Sequence, residues 1–495
     1  MKSIHEFYKN KIITPFILLP LFISLGGCAW VHNEKPALAQ TDITQLRTVQ
    51  MPQAAIQKWP GSNWWMSYQN PQLNALVEQA LKDSPSIAVV MQRVELAKAQ
   101  VKMGEAQGGP QLDFGADVER QKLSAEGVMG PFALDDPAAG TTGPWYTNGT
   151  FGLQGSYELD LWGKNRAQIQ SALGVYQAKQ AELAQARLLV SSAVVELYWD
   201  IQTYMALKHT LIDLREQETV IAQTDQLLYA QGVRSSLDDT STKIRLAKID
   251  QKIDVSKGRL RLLQTSLQAM LGMNSPALHL TPVALPPIEE TLPPTLGYEL
   301  LARRPDLQAA HWYIEASLSA VDAAHAAFYP SINLMGFLQY DALHLSDLFR
   351  SSAQQMGAIA GLTLPVFDSG RLNANLAIVR ANSNLSIAAY NKAVVEAVSD
   401  VAKSASQLQT LSDESAHQQT VVDGTQHIYS LAQQRFDVGL LSGAQVAKAK
   451  LPLLEEQAKK ILLQGEWVSA DIRLIRALGG GYRFANTETV HHGRD

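Results

Sequence analysis

Apolar residues in this chain follow two different periods, and the order in which the periods alternate outlines an architecture. From Pro71 to about Gln107 apolar side chains recur at helical spacing, as at Leu73, Leu76, Val77 and Leu81, with a break near Pro85. The period then shortens to that of a strand. Leu112, Phe114, Ala116 and Val118 alternate with mostly polar neighbours, and alternation resumes at Phe151, Leu153, Gly155, Tyr157, Leu159 and Leu161. The spacing predicts strands over about 111–121 and 151–161, long enough to cross a bilayer when tilted. The interval between them, containing GPFALDDPAAGTTGPW, has a loop composition.

From Trp162 to Ser275 there is no proline, and Ala, Gln, Leu, Lys and Glu dominate. The one interruption is AQGVRSS around Gly232, which predicts a helical hairpin over about 163–272 that turns there. Apolar residues at Leu183, Ala186, Val190, Val194, Leu197 and Ile201 mark a packed stripe of coiled-coil type. A break rich in proline follows at 276–294.

The pattern then repeats. Pro85-Ser86-Ile87 corresponds to Pro305-Asp306-Leu307, and QGGPQLDF to AAFYPSINL, both at an offset of 220 residues. Alternation returns over about 331–341 and 357–367, and a second helical hairpin is predicted over about 370–478, turning at Gly439. Gly163 to Gly232 and Gly370 to Gly439 both span 69 residues, which is about 100 Å of helix. The offset between these glycines is 207, so the first copy carries 13 more residues, all between its strands. Rods must match in length, whereas a surface loop tolerates insertion. The two copies thus occupy 71–275 and 295–480, with a segment 28–70 before them and a tail 481–495 after them.

Four strands cannot close a barrel, and an open sheet in lipid leaves its edge groups unpaired. Three chains would supply twelve strands and remove the edges. The expected fold class is therefore mixed: a membrane β-barrel of twelve strands formed by a trimer, continued by a long α-helical barrel, from two internal repeats with four strands per chain.

Composition supports a folded chain, with 46% hydrophobic and 18% charged residues, and the formal charge of −5 is spread without the basic stripe that nucleic acid requires. Lys2, Lys9 and Lys11 precede the apolar run IITPFILLPLFISL, which reads as a signal segment over 1–27. It closes on Leu25-Gly26-Gly27-Cys28, and Cys28 is the single cysteine of the chain. This tetrapeptide resembles the bacterial lipobox, which implies cleavage before Cys28, a diacylglycerol and an N-acyl chain on that residue, and, with Ala29 next, sorting to the outer membrane of a Gram-negative cell. No GxxxxGK[ST], HExxH or cysteine cluster is present, so neither an enzyme, a cofactor nor a metal is expected.

Two junctions where strand gives way to helix carry a glycine followed by a cation: ELDLWGKNR, with Gly163, Lys164 and Arg166, and LPVFDSGRLNA, with Asp368, Gly370 and Arg371. With NPQLNALVEQAL, ARRPDLQAA, AFYPSINL and the ending IRLIRALGGGY, these stretches resemble the outer membrane factor family, the exit ducts of TolC and OprM type, and within it the NodT-like multidrug-resistance lipoproteins. The resemblance implies a homotrimer in contact with outer membrane lipids, docked to a periplasmic adaptor (a membrane fusion protein) and through it to an inner membrane efflux pump. It also implies extracellular loops near Leu123–Trp145 and Asp341–Gln355, and an equatorial belt built from the linker and the terminal segments. At the periplasmic tips the resemblance supplies Asp238, beside Asp239, but Phe436 and Leu441 stand where a tyrosine and an arginine are expected. Gln445 and Lys448 take the places of the aperture aspartates, so closure is expected to rest on other contacts, such as Asp238 or Asp239 with Lys448. A type I secretion duct and a lipid-anchored periplasmic scaffold without a pore are the alternative readings.

Overall fold

The computed structural model describes residues 38–41, 60–124, 126, 145–272, 278–287 and 303–483. Among the described residues there are seven α-helices and four strands: α1 (Pro71–Asp83), α2 (Pro85–Gln107), β1 (Gln111–Lys122), β2 (Trp145–Leu159), α3 (Lys164–Ala230), α4 (Ser236–Met270), α5 (Pro305–Ala326), β3 (Ser331–Ala342), β4 (Gln354–Thr363), α6 (Arg371–Asp437) and α7 (Gly443–Ala477). The long helices of the two copies match: α3 and α6 each have 67 residues, and α4 and α7 each have 35. The chain divides into two compact units, one drawn from 96–177 and 312–388 and the other from 40–95, 178–311 and 389–495.

The first unit holds the sheet, in the order β1-β2-β3-β4 with every neighbour antiparallel. Strand β2 starts six residues before the alternation that announces it, at Trp145, because Gly149 and Thr150 interrupt the apolar pattern without interrupting the pairing with β1. Strand β4 is shifted towards the amino terminus, ending at Thr363 rather than 367. Pro365, which has no N–H to give a ladder, lies just beyond.

The second unit is helical. Its core joins Trp64, Trp65, Leu73, Val77, Ile87, Val194, Tyr198, Trp199, Ile201, Leu267 and Ile472, so the aromatic cluster WPGSNWW serves as packing. Helix α1 begins where Asn70 accepts a hydrogen bond from the Leu73 amide (2.9 Å) and Pro71 fills the first position. Of the proline-rich break, the described part 278–287 is tied to α3 by Gln202, which donates to the Thr281 carbonyl (3.0 Å) and accepts from the Val283 amide (2.9 Å). The ARRPDL motif is a clip. Arg304 forks onto Asp306 (3.0 and 2.6 Å) and donates to the Ala477 carbonyl at the end of α7 (3.1 Å).

Helix α7 ends on Gly479, Gly480 and Gly481, all in the left-handed region at φ 88°, 55° and 76°. A Cβ at these positions would collide with the Arg303 carbonyl, Leu188 and Gly61 respectively. Both backbone and space therefore demand glycine. Gly480→Ala is expected to destabilise the unit by on the order of 3 kcal/mol, read as a lower melting temperature by circular dichroism; an unchanged melting curve would contradict this packing.

Candidate functional site: an amphipathic sheet and two helix turns

The strand register sorts the side chains of the sheet. Leu112, Phe114, Ala116 and Val118 of β1 share a face with Phe151, Leu153 and Tyr157 of β2, Ile332, Leu334, Leu338 and Tyr340 of β3, and Met356, Ala358, Ala360 and Leu362 of β4. The opposite face presents Asp113, Asp117 and Glu119, then Thr150, Gln154 and Glu158, then Asn333, Gln339 and Asp341, with Met335, Phe337 and Ile359 as its apolar members on β3 and β4. Leu112, Phe114 and Val118 are exposed on the apolar face. Such a sheet is built to separate an apolar medium from a polar one.

At the first strand–helix junction Gly163 has φ 78° and both following cations are neutralised. Lys164 pairs with Glu158 (2.5 Å) and Arg166 with Asp160 (3.5 Å), while Asp160 also accepts from the amides of Asn165 and Arg166 (3.2 and 2.9 Å). At the second junction Gly370 has φ 83°, and Asp368 caps α6 by accepting from the Gly370 and Leu372 amides (3.0 and 2.8 Å). In both cases an aspartate satisfies the first helical amides and glycine makes the bend. Beside these junctions Trp162 stacks on Tyr329 (5.0 Å) and donates to the Pro330 carbonyl (2.8 Å).

The two helix turns are built alike. Gly232 (φ 73°) and Gly439 (φ 78°) end α3 and α6, and the amides of Val233 and Leu440 return to the Leu228 and Arg435 carbonyls (2.9 and 2.8 Å). The next helices open with a reach-back to the first residue, Asp238 to the Ser235 amide (3.4 Å) and Gln445 to the Ser442 amide (2.8 Å). Val233, Leu237, Val438 and Leu440 leave apolar surface exposed at these turns, with Phe436 beside them.

Away from the backbone the turns differ. In the first hairpin buried Asp225 pairs with Arg234 (3.2 Å) and accepts from Thr242 (3.1 Å), and buried Glu218 pairs with Arg245 (2.6 Å). At the equivalent places of the second hairpin stand Ala432, Leu441, Ala449, Thr425 and Pro452. Pro452 lies inside α7 and has no N–H to offer the Lys448 carbonyl. The expected contact of Asp238 or Asp239 with Lys448 is not formed within the chain. Asp239 pairs with Lys243 (2.7 Å), one helical turn away, and Asp238 faces Arg234 (3.9 Å). Lys448 is exposed and has no ion pair among the described residues.

In the helical unit the partly exposed Asp471 accepts from the Tyr68 hydroxyl (3.0 Å). Desolvation outweighs that hydrogen bond and lifts the Asp471 carboxyl to about 6; burial, and then the charge of Asp471, raise Tyr68 in turn. Among the described residues no cluster of His, Cys, Asp and Glu could hold a metal ion, and no helix is long and apolar enough to cross a membrane. Cys28 lies outside the described residues.

The Outer membrane efflux protein family matches residues 76–273 and 296–480. The chain belongs to this family. It is 53% identical over 465 residues to the "Putative multidrug resistance outer membrane protein MdtQ" of Shigella flexneri, covering 94% of this chain and 97% of the relative. To the "Multidrug resistance outer membrane protein MdtP" of Escherichia coli K12 it is 37% identical over 466 residues, covering 93% and 94%. Among solved structures the outer membrane protein VceC of Vibrio cholerae superposes with a TM-score of 0.73 at 28% identity, over 86% of this chain and all of that one. As an outer membrane efflux protein the chain is an exit channel, and its work is conduction rather than catalysis.

The pairs Asp225–Arg234 and Glu218–Arg245 escaped the sequence reading. Glu218 and Arg245 lie almost symmetrically about the turn at Gly232, and that symmetry is the available signal for this pair; Asp225 and Arg234 carry no such signal. For Asp471 the sign of the pH dependence follows from a carboxyl pKa that is higher folded than unfolded: the folded chain holds the extra proton. Stability from this group is present below about pH 4, falls as pH rises to about 6 and is level above that. Asp471→Asn, which keeps an acceptor for Tyr68, is expected to stabilise the protein at pH 7 by about 2 kcal/mol and to flatten that slope in melts taken between these pH values.

Proposed function

We propose that the protein acts as a lipid-anchored homotrimeric duct, which passes small molecules across the outer membrane after an inner membrane pump and a periplasmic adaptor deliver them. One observation carries this reading: the register that places apolar side chains of all four strands on one face and five carboxylates on the other. Turned outward, the apolar face meets lipid; turned inward, the acidic face lines a water-filled lumen that favours cationic over anionic cargo. Three copies would join β4 of one to β1 of the next and close twelve strands. Segments 28–70, 276–294 and 481–495 would form the belt around the helices, and acyl chains on Cys28 would tether the amino-terminal segment to the same membrane.

The adaptor would dock on the exposed apolar residues of the two turns, Val233, Leu237, Val438 and Leu440. With Gln445 and Lys448 in place of aspartates the aperture would carry no acidic ring, and its closure would rest on contacts between copies. The names borne by the relatives, multidrug resistance proteins in each case, favour small molecules over secreted proteins. A scaffold without a pore would have no use for an apolar sheet face.

An epitope inserted at Asp136 is expected to be cleaved by protease added to intact cells, and deletion of the protein to raise susceptibility to cationic drugs. Protection of the epitope would remove the surface-loop assignment. Cys28→Ser is expected to abolish metabolic palmitate labelling, and labelling at the wild-type level would contradict acylation there.

A further inference from the structure

Charge is sorted between the two faces of the sheet more strictly than conduction requires. All five carboxylates of the strands, Asp113, Asp117, Glu119, Glu158 and Asp341, fall on the polar face, which bears no Lys or Arg. The only two cations of the strands, Arg120 and Lys122, fall on the apolar face, in line with Leu112, Phe114 and Val118. They lie at the end of the sheet remote from the helices, since β1 starts just after α2 and β2 ends just before α3.

Their surroundings hold them without neutralising them. Arg120 lies opposite Thr147 and Lys122 opposite Trp145. The Arg120 guanidinium donates to the Thr147 hydroxyl (3.0 Å) and sits 5.9 Å from the centre of the Trp145 ring, a cation–π contact. Both cations are exposed, and neither has a carboxylate partner among the described residues. The same end of the apolar face carries Phe151 stacked on Tyr340 (5.1 Å), with Phe349 against Phe151 (5.5 Å). Aromatic rings of this kind mark the level where hydrocarbon gives way to headgroups.

A Lys or Arg on a lipid-facing strand is costly at the midplane and nearly without cost at the interface. That gradient permits the pair at this end but does not explain why the cations lie on this face, when Glu119 and Gln121 on the other already project into a polar space. A guanidinium has five N–H donors, one of which is used here, and its fork matches phosphate oxygens. The leaflet at this end, away from the periplasmic helices, is the outer one, made in Gram-negative cells of a glycolipid bearing phosphates. We propose that Arg120 and Lys122, backed by Trp145, form a binding site for the phosphates of that outer-leaflet glycolipid, lipid A. The site rests on the reading that the apolar face is embedded in the membrane. Binding would hold the barrel at a fixed depth and orientation in the asymmetric bilayer.

The test is native mass spectrometry of the purified full-length protein mixed with diphosphoryl lipid A, with its dephosphorylated form, or with phosphatidylglycerol. The wild type is expected to retain diphosphoryl lipid A in preference to the other two. The Arg120→Gln/Lys122→Gln double variant should lose retention at least about fivefold, and Arg120→Lys/Lys122→Arg should keep it. Equal retention by wild type and the glutamine variant would overturn the site, as would retention of phosphatidylglycerol or dephosphorylated lipid A at the same level. Planar bilayers free of lipid A separate the two readings. Wild type and double variant should conduct alike there; pores without phosphate-dependent retention would overturn the lipid site alone, and no pores from the wild type would overturn the embedded sheet and this site with it.

Discussion

A row of unpaired backbone groups along β1 and another along β4 constrain the rest of this molecule. The sheet order leaves both strands with one open edge, and in hydrocarbon each unpaired N–H or C=O costs several kcal/mol. Once the sheet is assigned to the membrane, as the duct reading requires, closure between copies follows, and closure forces repetition below it. Each strand pair is followed in the chain by a helical hairpin, and hairpins meant to line a common tube must match in length. The matching lengths of α3 with α6 and of α4 with α7 meet that demand, while the connections at the opposite end of the strands are under no such requirement and differ in length.

Equal length does not mean equal cohesion. The first hairpin is stapled near its turn by buried Asp225 and Glu218, each held by an arginine, whereas the second has small or apolar residues in those places. Removing one partner of a buried pair leaves an uncompensated charge, so the first hairpin resists separation of its helices near the turn. Apolar contacts between small side chains yield more gradually, and Pro452 removes a backbone hydrogen bond from the same region of α7. The backbone caps, being identical in kind at both turns, do not set this difference.

Much of this was legible in the sequence because the governing quantities are periods and lengths. Alternation fixes which side chains share a strand face, and the absence of proline over more than a hundred residues marks the first hairpin. The start of β2 was less legible, since Gly149 and Thr150 carry no apolar signal and their place in the sheet is set by pairing with β1. Within the chain the tip charges pair locally for a related reason. Long-range partners such as Asp239 and Lys448 compete with a lysine four residues away on the same helix, and the local pair forms at little entropic cost. Arg304 within ARRPDL could be recognised as part of a motif, but its role as a clip on the Ala477 carbonyl depends on a contact 173 residues distant.

The three left-handed glycines after α7 bear on how the chain is made as well as on how it packs. Gly481 closes against Gly61, and the nearby hydrogen bond from Tyr68 to Asp471 joins residues 403 positions apart. Contacts of such separation form late, because the loop between them must be closed first. For a chain delivered amino terminus first, the helical unit stays unfinished until Gly481 has arrived, with Trp64 and Trp65 lacking their final cover. The window in which this protein is most open to aggregation or proteolysis is therefore set by the time α7 takes to follow the helices it packs against.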